Sequence, residues 1–169
     1  LRAHAAGDPS YATIAACIRT LADWKAPDLN ALLAGALGEP STNGVIASAA
    51  LFAYSVRDGA AAIPLETGFA RYGAPLDSRG AAIDALSRIG AGHPAVTKFL
   101  ESLIGDPDFR TNLAVLHGLS RLGDPSAIPA LLRYAQTEQD DRLKSVALDA
   151  AAALRAPHHA GGGMSGNGR

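Results

Sequence analysis

The stretch Ala81-Ala82-Ile83-Asp84-Ala85-Leu86-Ser87-Arg88-Ile89-Gly90 decides the fold. Alanine is the strongest intrinsic helix former, and Ile83 and Leu86 stand three residues apart, the spacing of one helical face. The same pair recurs in both directions. Downstream it is Leu116 with Leu119 and Leu148 with Ala151; upstream it is Leu51 with Tyr54 and Ile18 with Leu21. The leading members follow one another at intervals of 33, 32, 33 and 32 residues. A period near 33 with two helices per unit predicts an α-solenoid, in which each unit buries its apolar face only against its neighbours.

A second column, Leu29, Ile63, Val96 and Ile128, recurs at intervals of 34, 33 and 32 residues and is assigned to the second helix of each unit. The expected architecture is all-α, a right-handed α-solenoid of four helix pairs plus a C-terminal helix. The units fall at about 8–39, 40–74, 75–105 and 106–138, with the last helix over 140–155. Residues 1–7 read as an N-terminal extension, and Asp8-Pro9-Ser10 as the entry to the first helix, capped by Asp8. Residues 156–169 carry five glycines and no apolar periodicity, so we expect a disordered tail.

Of the 169 residues, 48% are hydrophobic and 5% aromatic, which predicts a core of small aliphatic side chains. The formal charge is −1, and the fifteen Lys and Arg residues form no dense run. Nucleic acid is therefore not an expected partner, because phosphate binding needs clustered cations. No apolar run approaches the ~20 residues that cross a bilayer, so no membrane partner is expected. Cys17 is the one cysteine, excluding an internal disulfide, and its place beside Ile18 reads as a small buried hydrophobe. The opening Leu1-Arg2-Ala3-His4 has no signal-peptide pattern. We expect a segment of a longer polypeptide and assign no compartment.

The stretch 81–90, together with Gly118-Leu119-Ser120-Arg121-Leu122-Gly123-Asp124-Pro125-Ser126-Ala127-Ile128-Pro129-Ala130-Leu131-Leu132, resembles HEAT-like repeats of the bacterial kind, over roughly residues 8–155. Such repeats often carry a basic residue three before the alanine of the first helix. Arg79 and Lys144 fit before Ala82 and Ala147, whereas Ile14, Ala47 and Thr111 are read into the slot elsewhere, so no continuous basic ladder is expected. A narrower resemblance rests on Asp8-Pro9-Ser10-Tyr11 and Ala70-Arg71-Tyr72-Gly73-Ala74-Pro75, which are similar to segments in the C-terminal helical-repeat region of bacterial M1-type zinc aminopeptidases. That resemblance implies an accessory domain that shapes substrate access or packs on a catalytic domain, with the zinc chemistry lying upstream.

The chain itself holds no His-Glu-x-x-His, and no two of His4, His93, His117, His158 and His159 stand at i, i+4. Gly162-Gly163-Met164-Ser165-Gly166 only mimics the Gly-x-Met-x-Asn of those peptidases, with glycine in the Asn place. We therefore expect no catalytic residue, no metal site and no cofactor in this chain. His93 is expected at a cap or facing solvent, and His117 partly buried and hydrogen-bonded. Binding is expected on the row of second helices, with Arg71, Tyr72, Lys98, Glu101 and Arg133 as candidate contacts. The expected partner is a protein or peptide, first of all other domains of the same polypeptide. The alternatives are a free-standing interaction scaffold and a HEAT-type chromophore lyase.

Overall fold

A computed structural model describes residues 1–7 and 10–156. The described chain is helical throughout: α1 (Arg2–Gly7), α2 (Tyr11–Asp23), α3 (Asn30–Gly38), α4 (Val45–Asp58), α5 (Ile63–Ala70), α6 (Leu76–Ile89), α7 (Pro94–Glu101), α8 (Phe109–Leu122), α9 (Ile128–Thr137) and α10 (Asp141–Arg155). Short 3-10 turns at Thr42–Gly44, Gly59–Ala62 and Pro125–Ala127 lead into α4, α5 and α9. The longer helices α2, α4, α6, α8 and α10 stack in one row, each against the next. Every second helix lies along the first helix of the following unit: α3 on α4, α5 on α6, α7 on α8 and α9 on α10. This is the α-solenoid of four helix pairs and a closing helix.

The first column behaves as its spacing predicts in four places and differs in the fifth. Ile18, Leu51, Ile83 and Leu116 are fully buried, whereas Leu148 is 45% exposed. The cause is position in the stack: α10 buries Leu143, Ala147, Ala151 and Leu154, and its opposite face has no further described helix to cover it. Each fully buried Leu or Ile contributes about 1.5–3 kcal/mol by leaving water, so the interior units carry more of the stability than the end.

The second column needs a correction. Ile63 and Ile128 are only half-buried, and the buried members are Leu29, Ala62, Val96 and Ala127, followed by Leu33, Glu66, Leu100 and Leu131. The 3-10 turns before α5 and α9 set the entry so that the alanine preceding each isoleucine points inward. Helix ends also differ from expectation. α5 stops at Ala70 and α7 at Glu101, ahead of Tyr72-Gly73 and Ile104-Gly105, and both chains then pass through a glycine with positive φ, Gly73 at +86° and Gly105 at +84°.

At the first helix the cap is Ser10, whose Oγ accepts from the Thr13 N–H at 3.4 Å. Asp8 and Pro9 lie outside the described residues, as do residues 157–169, to which the expected tail and the candidates His158 and His159 belong. Residues 2–7 form a short helix packed on α2. Close approach is bought by small residues: a Cβ on Gly118 would stand 3.3 Å from Leu100 and 3.4 Å from Ile83, where α8 crosses unit three. The core divides into two clusters, one running from Ala5 to Ala53 and one from Leu51 to Leu154. They meet at α4, which gives Ile46, Ala49, Ala50 and Ala53 to the first and Leu51 to the second.

Candidate functional site

The second helices have one buried column, so the opposite stripe of each faces solvent. Lys98 stands two residues before buried Leu100 and Arg133 two after buried Leu131, each roughly 160° round the helix from its column at 3.6 residues per turn. Both are exposed. Arg71 closes α5, its N–H donating to the Thr67 carbonyl at 3.3 Å, and its side chain is exposed. Glu101 ends α7 half-buried. The five candidates thus occupy three successive second helices or their ends and form no single cluster.

Arg71 has the most developed surroundings. It lines a groove of about 480 Å³ with Pro64, Leu65, Gly68, Phe69, Gly73, Ala74 and Pro75. The floor is apolar, and nothing lies within 4 Å of where a Cβ on Gly68 would be, so the groove is open there. Tyr72 is 74% exposed, and the Arg79 guanidinium carbon lies 5.7 Å from its ring centroid. A cation–π contact of this kind gives Tyr72 a structural task besides any binding one.

Arg79 itself is a buried polar tie between units. It is 3% exposed, donates from Nε to the Ala70 carbonyl at 3.3 Å, and pairs through a terminal nitrogen with Asp106 Oδ2 at 2.5 Å. The arginine of unit three thereby joins the end of unit two to the loop that opens unit four. The matching slot one unit later is Asn112, not Thr111, which lies one residue off the register. Asn112 Oδ1 accepts from the Gly105 N–H at 3.1 Å, and its Nδ2 donates to Tyr134 Oη at 2.6 Å; the Tyr134 hydroxyl in turn donates to Glu138. Burial pushes the Tyr134 hydroxyl up to about 12, with the Glu138 bond acting in the same direction. Thr111, also buried, donates its N–H to Asp108 Oδ1 at 2.7 Å, capping α8; the Thr111 side chain and then this N–H hold Asp108 below the usual carboxylate range.

Among the described residues, His93 and His117 are both exposed. His93 is exposed at the start of α7 without a side-chain cap bond. His117 is exposed and not hydrogen-bonded, contrary to the half-buried, bonded setting expected for it, because its position on α8 faces away from the Leu116 column. It shares a shallow pocket of about 230 Å³ with Ser120, Val146, Asp149, Ala150 and Ala153. Serine, histidine and aspartate thus meet on one surface, yet among the described residues no hydrogen bond joins any two of them, and proton relay through a triad needs both links. Cys17 is buried, as its apolar neighbours predict. Among the described residues no three His, Cys, Asp or Glu side chains gather as a metal site, and no helix is long and apolar enough to cross a membrane.

Sequence reasoning missed Glu66. It fills a place held by leucine in the other three second helices, Leu33, Leu100 and Leu131, and is completely buried with neither carboxyl oxygen hydrogen-bonded. The column read from Ile63 points to Thr67 instead, and only the buried Ala62 shows that Glu66 stands in the leucine column.

Comparison with known proteins agrees with the helix-pair stacking. Residues 69–152 match the family described as HEAT repeats. No curated protein and no solved structure matches the chain. Over α6 to α9 and most of α10 the chain is similar to HEAT repeats, and its helix pairs stack as such repeats do.

Proposed function

We propose that this chain is a non-catalytic protein-interaction module whose contact surface centres on the groove at the end of α5. The observation that carries this reading is the apolar floor of Pro64, Leu65, Phe69 and Pro75 with the exposed cation Arg71 on its rim. Such a groove fits an extended segment that buries one apolar side chain and sets a carboxylate against the guanidinium. Lys98 and Arg133 lie on the solvent stripe of later second helices and extend the same sign of charge. Repeat stacks commonly bind through such continuous surfaces.

The test is a titration with short peptides carrying Leu or Phe beside Glu, followed by backbone amide shifts. Shifts should concentrate in residues 64–75, and Arg71→Ala should weaken binding by about 1 kcal/mol or more, roughly fivefold. Unchanged affinity in Arg71→Ala, with shifts elsewhere, would remove the groove from the account.

A finer reading is that the module is the accessory domain of a larger zinc peptidase. Its support is the resemblance of the segment Ala70 to Pro75, the same segment that forms part of the groove. A His-Glu-x-x-His motif upstream of Leu1 in the parent gene is the expected finding. A parent gene without one contradicts the finer reading and leaves the interaction module standing.

A further inference from the structure

Glu66 is 0% exposed, and neither Oε1 nor Oε2 has a hydrogen-bond partner. An ionised carboxylate in such a place is strongly disfavoured, because no donor replaces the water it has lost. The group therefore keeps its proton at neutral pH: burial pushes its pKa up to about 8, with the Arg88 guanidinium pulling back in part. Its location matters as much as its chemistry. α5 lies on α6, at the joint where unit two meets unit three, next to the division between the two core clusters.

The charged groups on the neighbouring elements are Arg57 and Asp58 at the end of α4, and Asp77, Arg79, Asp84 and Arg88 on α6. Arg57 and Asp58 are joined to each other by bonds of 2.6 and 2.7 Å. Arg79 is committed to Ala70 and Asp106, and Asp77 lies exposed at the other end of α6 against Gly44. Arg88 remains. It donates from Nε to the Asp84 carbonyl at 3.4 Å, pairs with the Asp84 carboxylate and lies 5.2 Å over the Phe52 ring, all of these contacts being at the surface, where its side chain is 42% exposed. Asp84 also pairs with Arg121, so it stays neutralised if Arg88 leaves.

We propose that Glu66 and Arg88 form a proton-controlled latch on the joint between units two and three. With the carboxyl protonated, α5 lies closed on α6 and Arg88 rests on Asp84. When the proton passes to solvent, the carboxylate and the Arg88 guanidinium draw together, and the packing of α5 on α6 loosens. The folded-state pKa is raised above the unfolded value, so the stabilisation is full below about 4.5 and falls as pH rises towards about 8.

The experiment compares wild type, Glu66→Gln, Glu66→Leu and Arg88→Gln as full chains between pH 5 and 9, by chemical denaturation and by amide exchange resolved along the sequence. Relative to Glu66→Gln, the wild-type unfolding constant should climb up to about tenfold per pH unit until about pH 8, one proton being released. Amides of α5 should open with rising pH relative to those of α8 in wild type only, beyond the intrinsic pH dependence of exchange. Arg88→Gln should move the alkaline limb to higher pH, since the guanidinium favours the ionised form. Parallel wild-type and Glu66→Gln profiles, a limb unmoved by Arg88→Gln, or a carbon-13 titration placing the Glu66 carboxyl below 5 would each overturn the latch. Should Glu66→Leu fail to fold, the near-isosteric glutamine variant alone decides.

Discussion

Units one and two are held chiefly by alanine-rich packing, whereas units three and four add polar ties between successive loops. In the N-terminal half the turns place Lys25, Asp28 and Asn43 at φ near +50°, a region that side chains other than glycine enter at a cost. Among the described residues, the left-handed turn positions of the C-terminal half are all glycine, Gly92, Gly105 and Gly123, whereas the N-terminal half mixes Lys25, Asp28 and Asn43 with Gly44, Gly59 and Gly73. There Asp108 and Asp140 cap α8 and α10, Thr97 donates to Asp124 at 2.7 Å, and Arg79 and Asn112 join unit to unit. The two halves share one apolar column, so that column alone suffices for stacking. The ties fix register, and the matched HEAT repeats cover the half that has them.

The contrast is broken most severely at Arg79. Arg79→Ala leaves Asp106 buried without its partner, and removal of one member of a buried pair costs about 3–5 kcal/mol. Chemical denaturation should show this as a large fall in midpoint; a fall under about 1 kcal/mol would mean the tie is dispensable. Asn112→Ala should follow at about 1–3 kcal/mol, because it strands the Gly105 N–H and removes a donor to Tyr134. Asp108→Ala should cost about 1 kcal/mol as a lost cap, and Ser10→Ala, whose bond is longer, should cost less. At the small end, Lys25→Gly should stabilise the chain by up to about 1 kcal/mol by relieving a left-handed residue, measured the same way; destabilisation there would remove the claim of turn strain.

Opposite responses to pH sharpen the same comparison. Hydrogen bonds hold Asp108, Asp124 and Glu138 below the ordinary carboxylate range, so their contribution is present above the unfolded pKa and is lost as pH falls below it. Glu66 runs the other way. Amide exchange, corrected for its intrinsic rate, should therefore show α8 to α10 loosening first near pH 3 and α5 loosening first near pH 9.

The fold could be read from the sequence because a repeat writes its core several times: Ile18, Leu51, Ile83 and Leu116 need only be counted. Reading failed where residue size and burial part company. Ile63 and Ile128 drew attention that belongs to Ala62 and Ala127, since a 3-10 entry turns the smaller residue inward. Leu148 has the right spacing but no further described helix to cover it. The candidate site was visible only as single residues. Arg71 and Tyr72 were within reach, but the groove around Arg71 depends on where α5 ends, and Glu66 looks like any helical glutamate until its column is known.

Stacking itself is tested most directly by two substitutions in the repeated pair of columns, Leu86→Ala and Leu148→Ala, compared by denaturation under identical conditions. Leu86 is fully buried between neighbouring units and should lose about 2–5 kcal/mol, whereas Leu148 at the uncovered end should lose no more than about 1 kcal/mol. Equal losses at the two positions, or an unchanged midpoint in Leu86→Ala, would contradict the stacked-repeat account.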